Sequence, residues 1–357
     1  MMSSRELTER EKEILGLIIQ NFILTASPVG SRYLAKHSDL GLSDATIRNV
    51  MADLEERGFI AQPHTSAGRL PTDKGYRFYV DTIMMVRSLS QPERRKIDRD
   101  IENIVKTAKG ESSELLRETS RILGKLSQQL GFVLSPKLSA GVFEKLDIVS
   151  LSSNKIMVVL SIRSGFVKTI MLEVKSLVMQ EKIDELVSNL NERLSGLTLE
   201  QIKYTFKERV AGFDDETGLL RVFIDSAERM FTDVPDMDRL HISGTENIIG
   251  QPEFGQPEKI RGIVEMTQNE NVIVHLVEDA HQENYLASIK DGVKIIIGKE
   301  NRDSKINDCS IVTAQYEVGD VLGTIGVIGP TRMDYAKVIR VIDYIAKRLS
   351  DKLTTLH

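Results

Sequence analysis

Apolar residues recur at helical spacing through the first sixty positions of the chain. In "TEREKEILGLIIQNFIL", Thr8 and Glu11 form a capping-box pattern, and the apolar residues that follow share one face of a helix. In "SPVGSRYLAKH", Ser27 can cap a second, shorter helix and Pro28 suits its first position. The polar stretch "SDLG" then ends this helix. The pattern therefore predicts two core-packing helices before residue 42.

A third helical segment, "LSDATIRNVMADLEERGFI", has two chemically different faces. Ser43 is placed to cap its start, and Gly58 to end it in a left-handed conformation. The buried stripe is formed by Ile47, Val50, Met51 and Leu54, and the opposite face shows Asp44, Thr46, Arg48 and Asn49. Two short helices joined by a tight turn, the second with Arg and small polar residues in its first turns, can place a helix in the DNA major groove. The alternative is an ordinary three-helix core, but the spacing S-x-x-T-I-R-x-x-M-x-x-L-E-x-x-G-x-I resembles the recognition helix of bacterial winged-helix regulators.

The next segment, "FIAQPHTSAGRLPTD", predicts a strand, a polar turn and a returning strand, which together would form a wing. Arg69 suits bidentate contact with a phosphate, and Ser66 and Gly68 allow the backbone to approach DNA closely. Thr72 and Asp73 can then cap a helix over "DKGYRFYVDTIMM". The residues of this helix that are expected to pack inward are Tyr76, Tyr79, Val80 and Ile83.

The rest of the chain changes repeatedly between helical and strand patterns. Residues 91–132 are predicted to be helical, with a break at Gly110, and "LDIVSLSSNKIMVVLSIRSGFVKTIMLEV" predicts three strands joined by short turns. Residues 180–232 predict three helices. Further strands are expected in "LHIS", "NVIVHLVE", "VKIIIGKE", "CSIVTAQYEV" and "VLGTIGVIG", before a last helix in "RMDYAKVIRVIDYIAKRL". This order predicts one α+β domain interrupted by an insertion.

Composition narrows the function classes. The chain has 357 residues, 41% apolar and 28% charged, which indicates two or three globular domains. Its apolar runs are too short for a membrane span and its start has no apolar signal core, so a cytoplasmic protein without a membrane partner is expected. The single cysteine, Cys309, permits no internal disulfide, and its strand-like neighbours favour a packing role.

Chemistry-bearing motifs are sparse. The six histidines are scattered rather than clustered, so no metal site is expected; His275 and His281 are expected at a strand end or on the surface. "GDVLGTIGVIGP" lacks the pattern of a phosphate-binding loop and predicts a strand with turn glycines. No serine elbow, His-Glu helix pair or paired-carboxylate setting is present. The sequence therefore predicts neither an enzyme nor a cofactor.

The positions of the charged residues along the chain support contact with nucleic acid more than the net charge does. The net charge is −5, and residues 1–90 balance eleven Lys or Arg against eleven Asp or Glu. Within residues 57–77, however, four basic residues face Asp73 alone. A local basic face on a neutral domain is sufficient for contact with phosphates.

Two long stretches, "TSAGRLPTDKGYRFYVD" and "GVIGPTRMDYAKVI", resemble the heat-inducible transcription repressor family, HrcA. The resemblance runs from "LTEREKEIL" to the last helix. It implies a repressor of heat-shock chaperone operons that binds an inverted-repeat operator called CIRCE as a homodimer, with the chaperonin GroEL aiding its active form.

The resemblance also names the parts of this α+β multidomain chain. Residues 1–90 would form a winged helix-turn-helix, residues 91–177 linker helices and the first part of a GAF-like domain, residues 178–247 an inserted, mostly helical dimerising domain, and residues 248–357 the second part of the GAF-like domain. The candidate DNA-binding residues are Ser43, Thr46, Arg48, Asn49, His64, Thr65, Ser66, Arg69, Lys74 and Arg77. Two other functions stay open: a small-molecule sensor whose GAF-like domain sets DNA affinity, and a winged-helix protein that acts on RNA.

Overall fold

The computed structural model describes residues 6–64, 67–107, 112–174, 179–212, 218–232, 239–280, 288–290, 292–301, 303 and 306–356. Its contacts divide the chain into two compact units. Unit 1 comprises Met1–Val133, Leu240–Gln315 and Thr324–Arg348, and unit 2 comprises Leu134–Arg239, Tyr316–Gly323 and Leu349–His357. Helices and strands are both abundant, so the chain has the mixed α+β character that the pattern predicts. No helix within the described ranges has the length and apolar character needed to cross a membrane.

The elements of the described residues are as follows, in chain order. The first are α1 (Glu9–Thr25), α2 (Ser31–His37), α3 (Asp44–Glu56), β1 (Ile60–Ala61), β2 (Leu70–Pro71), α4 (Asp73–Phe78), a π-helical turn (Tyr79–Ile83), α5 (Gln91–Thr107), α6 (Ser112–Ser127) and β3 (Leu130–Leu134). Next come β4 (Phe143–Ser152), β5 (Lys155–Ile162), β6 (Val167–Glu173), α7 (Gln180–Leu194), α8 (Leu199–Arg209) and α9 (Leu219–Phe231). The last are β7 (Leu240–Ser243), α10 (Thr245–Ile249), α11 (Pro257–Gln268), α12 (Glu270–Ala280), β8 (Ser288–Lys290), β9 (Val293–Ile297), β10 (Cys309–Val318), β11 (Val321–Pro330) and α13 (Tyr335–Leu356).

The N-terminal block, which we define as residues 6–64 and 67–84, begins with helices whose starts are set by local capping. The Thr8 hydroxyl accepts the backbone N–H of Glu11, and the Glu11 carboxylate accepts that of Thr8, so the predicted capping box is confirmed. The predicted N-caps at Ser43 and Thr72 are confirmed as well. Side chains from α1, α2 and α3 then form the core of the block: Ile14, Leu15, Ile18, Ile19, Leu34, Ile47 and Leu54 are all fully buried.

The predicted start of the second helix is wrong. Ser27 and Pro28 were expected to begin it, but α2 starts at Ser31, with Gly30 at the N-cap. The reason is a tertiary contact: the backbone of Val29 pairs with that of Arg69 in an isolated antiparallel bridge, with N–H to C=O distances of 2.9 and 2.8 Å. A residue that is extended to pair with a distant strand cannot also lie in the first turn of a helix.

Six strands form one sheet in the order β7-β3-β11-β10-β9-β8, and the β10–β9 and β9–β8 pairs are antiparallel. Strand β3 lies inside this sheet and is buried along its whole length. The prediction that residues 91–132 are helical throughout is therefore wrong at its end. Gln128, at a φ of 57°, lies in the left-handed region directly after α6 and before β3. Gly326 of β11 leaves the space that the Phe132 ring occupies.

"NVIVHLVE" is helical, not the strand that was expected, and forms most of α12. Its buried residues, Ile273, Val274, Leu276 and Val277, follow helical spacing, while His275 between them is exposed. A short apolar run rich in β-branched residues fits both periods, and here burial on one helical face decides between them. His281 lies outside the described residues. Cys309, in contrast, is buried at the start of β10 and has the expected packing role.

Unit 2 is built on the antiparallel sheet β4-β5-β6, and the three predicted strands are confirmed. The three predicted helices between residues 180 and 232 are confirmed as α7, α8 and α9. One core joins the sheet to these helices and includes Leu146, Val158 and Leu160 from the strands and Leu190, Ile202, Phe206 and Phe223 from the helices. The boundary expected at residue 178 thus separates segments that share a core.

Candidate nucleic-acid interface

Helix α3 is fixed in place by both its ends and its buried face. At its start, the Ser43 hydroxyl accepts the backbone N–H of Thr46 at 3.2 Å, which satisfies one of the free donors of the first turn. At its end, Gly58 has a φ of 76° and the N–H of Phe59 returns to the carbonyl of Leu54 at 2.9 Å. This left-handed cap confirms the prediction for Gly58.

The opposite face of α3 is open to solvent in its first two turns. Arg48 and Asn49 are exposed there, and the Arg48 side chain retains 69% of its accessible surface. The Arg48 guanidinium donates to the Asp44 carboxylate at 2.9 Å, one turn earlier. An exposed ion pair of this kind is weak, so it orients the guanidinium without withdrawing it from a ligand. Four predicted residues, Ser43, Thr46, Arg48 and Asn49, are therefore brought together at one end of α3.

The segment after α3 returns along the block as a short antiparallel ladder. Ile60 pairs with Pro71 and Ala61 with Leu70, and the Val29–Arg69 bridge lies next along the returning strand. Gly68 has no room for a side chain, because a Cβ would lie 2.5 Å from the Val29 carbonyl carbon and oxygen. The close contact between the backbones of Gly68 and Val29 therefore fixes the position of the chain at Gly68, just before β2.

The predicted residues of this loop are only partly described. His64 is exposed, and its carbonyl accepts the N–H of Ala67 at 2.9 Å. Thr65 and Ser66 lie outside the described residues. Gln62 donates its side-chain amide to the Ala67 carbonyl at 3.0 Å and so links the two sides of the loop.

Two basic residues that were predicted to bind DNA also stabilise the block. The Arg69 Nε donates to Glu55 of α3 at 2.8 Å, and its side chain is only 22% exposed. The Lys74 ammonium donates to the carbonyl of Arg57, at the C-terminal end of α3, at 2.8 Å and lies 4.6 Å from the centre of the Phe59 ring. A cation at the C-terminus of a helix is favoured by the helix dipole. Lys74 remains exposed, whereas most of Arg69 does not.

Arg77 is not on this surface in the structure. Its guanidinium donates to both carboxylate oxygens of Glu300, to Asp81 at 3.4 Å and to the Ile295 carbonyl at 2.9 Å. The side chain is 20% exposed. These bonds occupy each nitrogen of the guanidinium, so Arg77 belongs to the attachment of α4 and not to the set of exposed basic side chains.

Helix α2 carries two exposed basic residues that are not among the predicted DNA-binding residues. Arg32 and Lys36 are exposed and one turn apart, and neither makes an ion pair with any residue that the structure describes. Tyr33 stacks on His37 on the same helix, with ring centres 4.3 Å apart. In helix-turn-helix proteins the helix before the recognition helix commonly crosses the DNA backbone, so the sequence could have suggested Arg32 and Lys36 as further candidates.

The start of α1 is tied to the end of α3 by Arg57, whose guanidinium donates to Glu11 at 3.1 Å. Burial opposes the charged form of Glu11, but hydrogen bonds from Thr8 and the nearby Arg57 charge outweigh it and lower the pKa of the carboxyl group. A carboxyl group with a lowered pKa stabilises the fold at neutral pH, and this contribution is lost as the pH falls through that pKa.

Comparison with known proteins decides the family. A family model described as the HrcA protein C-terminal domain matches residues 113–339. Heat-inducible transcription repressors HrcA match almost the whole chain: that of Prosthecochloris aestuarii is 51% identical over 98% of both chains, and that of Chlorobium phaeobacteroides (strain BS1) is 48% identical over 99% of this chain and 100% of its own. The chain belongs to the HrcA family. The N-terminal block precedes the region matched by the HrcA family model, but the full-length HrcA relatives extend over it.

The fold of this HrcA family member also has a solved counterpart. A crystal structure of a hypothetical protein superposes with a TM-score of 0.58, at 24% identity, and covers 99% of this chain and 100% of its own. At this level of identity, the likeness concerns the fold alone. The similarity to the HrcA sequences is what identifies the family.

Proposed function

We propose that this protein is a sequence-specific DNA-binding repressor of heat-shock chaperone operons, and that the N-terminal block is its winged helix-turn-helix. The observation that carries the proposal is the two-sided character of α3, which is locked into the block by Ile47 and Leu54 and exposes Arg48 and Asn49 on its other side. Membership of a family of heat-inducible transcription repressors supports it. Because its target is chromosomal DNA, the repressor would act in the cytoplasm.

In this proposal α3 enters the major groove. Arg48 can form two hydrogen bonds to a guanine and Asn49 two to an adenine, which are the pairings that these side chains favour. Ser43 and Thr46, at the same end of α3, lie close enough to the helix start to contact phosphates. Arg32 and Lys36 of α2 would contact the backbone beside the groove.

The loop between β1 and β2 would act as the wing, and His64, Thr65 and Ser66 stay candidates for contact with DNA there. Because Arg69 is bonded to Glu55, we expect it to touch phosphate only by exchanging that partner. Lys74 keeps an exposed ammonium group and stays a candidate for phosphate contact. Arg77 is left out of the proposed surface because Glu300 holds it.

The segment expected to dimerise, residues 178–247, includes α7–α9, which share a core with β4-β5-β6, and we propose that the dimer contact lies on this sheet of unit 2. One face of this sheet packs on α7–α9, and the other exposes apolar side chains. Val149, Met157 and Met171 lie directly opposite one another across the three strands, and Val149 and Met171 are 44% and 55% exposed. An exposed apolar row of this kind is typical of a protein interface. A second copy of the chain is the partner that an inverted-repeat operator requires.

The resemblance to HrcA supports two further parts of the proposal: that the operator is the inverted repeat CIRCE, and that the chaperonin GroEL keeps the repressor active. The GAF-like identity of the six-stranded sheet domain rests on the same resemblance.

Fluorescence anisotropy tests the central claim. We expect the protein to bind a duplex with the inverted repeat at least about 1,000-fold more tightly than random duplex DNA at the same salt concentration, in the usual range for specific readers. Footprinting should show two symmetric protected half-sites. Equal affinity for both duplexes would refute sequence-specific binding. A helix that reads the B-form major groove cannot read the deep, narrow A-form one, so this proposal predicts weak binding to the corresponding RNA duplex. Stronger binding to the RNA duplex than to the DNA duplex would favour the RNA alternative.

A further inference from the structure

The structure brings together the two stretches that carry the HrcA resemblance, residues 65–81 and 326–339, although they are far apart in the sequence. Tyr76 of α4 comes from the first stretch and Tyr335 of α13 from the second, and their ring centres are 6.0 Å apart. Both side chains are fully buried, with 1% and 0% exposure. Tyr76 of the first stretch therefore faces the protein interior and not DNA.

Charged side chains surround this contact on the α4 side. The carboxylate of Glu300 accepts two hydrogen bonds from Arg77, and the carboxylate of Asp73 accepts the backbone N–H of Lys299 at 3.1 Å. Gly298, at a φ of 54°, has no space for a Cβ, which would lie 2.4 Å from an Asp73 carboxylate oxygen. Helix α4 thus lies against the end of β9 with a close polar fit.

Two further cations connect other parts of the N-terminal block to the sheet part of unit 1. The Lys290 ammonium donates to the carbonyls of Val80 and Met84, at 2.8 and 2.7 Å, and so holds the π-helical turn. The Arg332 guanidinium donates to the carbonyl of Ile23, near the end of α1, at 2.6 Å. Arg332 is itself bonded to Glu253 and is only 11% exposed.

We define the clasp as Asp73, Arg77, Lys290, Glu300 and Arg332. These residues make contacts at three places on the block: α4, the π-helical turn and the end of α1. Three separated attachments prevent the N-terminal block from rotating about any axis relative to the sheet part of unit 1. A single contact or a flexible linker would leave some of these rotations free. Partly buried charge pairs also add directional hydrogen bonds, which permit one arrangement and penalise others.

We infer that the clasp residues are positioning residues, which touch no DNA but hold α3 at a fixed angle and thereby set the half-site spacing that the dimer accepts. The inference rests on the proposed function. A dimer can bind both half-sites at once only if the distance and angle between its two α3 helices match those between the half-sites of the operator. Each base pair added between half-sites turns one of them by about 35° and moves it by about 3.4 Å. If the N-terminal block is held rigidly, α3 cannot move with the displaced half-site and that contact is lost. If the clasp is loosened, the block can rotate and α3 can still reach the half-site.

The first test measures affinity for operators whose half-site spacing differs by one or two base pairs. When the spacing changes by two base pairs, we expect the affinity of the unchanged protein to fall more than about tenfold, because the two half-sites can no longer be bound together. The affinity of Glu300→Gln for the same operator should fall less than about threefold. Affinity for a single half-site should be the same for both. The matched control is Glu118→Gln, which alters the exposed Arg121–Glu118 pair on α6 and should keep the unchanged profile. Equal profiles for Glu300→Gln and the unchanged protein would overturn the inference.

A second test needs no DNA. Spin labels at Glu56→Cys and Arg261→Cys, both exposed residues of unit 1, report the distance from the end of α3 to α11. The native Cys309 should not react, because it is buried and burial raises the pKa of its thiol to about 12. We expect one narrow distance distribution, measured with labelled protomers diluted in unlabelled ones.

Lys290→Met should broaden this distribution, and it is the variant to use if Glu300→Gln does not fold. An equally narrow distribution after Lys290→Met and after Glu300→Gln would show that the clasp does not hold the block. If the unchanged protein had no preference for an inverted repeat, the proposed function would fail, while the spin-label distances would still decide whether the clasp fixes α3.

Discussion

Replacing Arg48 by Ala removes the longest exposed side chain in the first two turns of α3, the part that we propose to lie in the major groove. In the free protein the change should cost little, because Arg48 is 69% exposed and its bond to Asp44 is a surface ion pair within one helix. Such pairs contribute about 0.3–0.5 kcal/mol to stability. The melting temperature should therefore stay nearly constant, which allows any loss of binding to be assigned to the contact with DNA.

The loss on the operator should be much larger. A bidentate arginine–guanine contact discriminates by about 1–3 kcal/mol, which corresponds to about 5- to 150-fold for one half-site. Both protomers of a dimer lose the contact, so the full operator should lose about 2–6 kcal/mol if the two sites are independent. Binding to random DNA should weaken less, because that binding depends on phosphates.

Fluorescence anisotropy with a single half-site, the full operator and a random duplex measures these three quantities at one salt concentration. Arg121→Ala is a matched control, since Arg121 is 68% exposed and pairs with Glu118 one turn away on α6, as Arg48 does with Asp44 on α3. The control should bind all three duplexes normally. An equal loss on operator and random DNA would assign Arg48 to phosphate, and no loss on either would refute the placement of α3 in the groove.

Three other substitutions test separate surfaces. Gly68→Ala would place a methyl group 2.5 Å from the Val29 carbonyl, so we expect about 1–3 kcal/mol of destabilisation in thermal melts followed by circular dichroism; an unchanged melting temperature would show that this approach is not tight. Lys36→Ala should lower the slope of log K against log salt by about one per protomer, and an unchanged slope would place α2 away from the backbone. Met171→Asp should give monomers in light scattering, whereas Tyr204→Asp, at another exposed position of unit 2, should not; a Met171→Asp dimer would move the interface off the sheet.

The sequence alone determined the elements that depend on neighbouring residues. The capping box at Thr8, the N-cap at Ser43 and the left-handed cap at Gly58 are all local, since the groups that bond lie within a few residues of each other. The strands β4–β6 and the helices α7–α9 could also be predicted from the sequence, because in each the apolar residues recur with a single period, of strand or of helix, between turn residues. Family membership followed from long matching stretches rather than from any physical rule.

Tertiary structure decided the rest. Strand β3 and helix α12 are apolar runs that fit either period, and only the neighbouring strands or the buried face selected the conformation. Likewise, Val29 is extended because it pairs with Arg69, forty residues away. The clearest case is Arg77, which the sequence grouped with the basic residues of a DNA surface. Its role is set by Glu300, and a partner that folding brings from the other end of the chain leaves no trace in the local pattern of hydrophobic and polar positions.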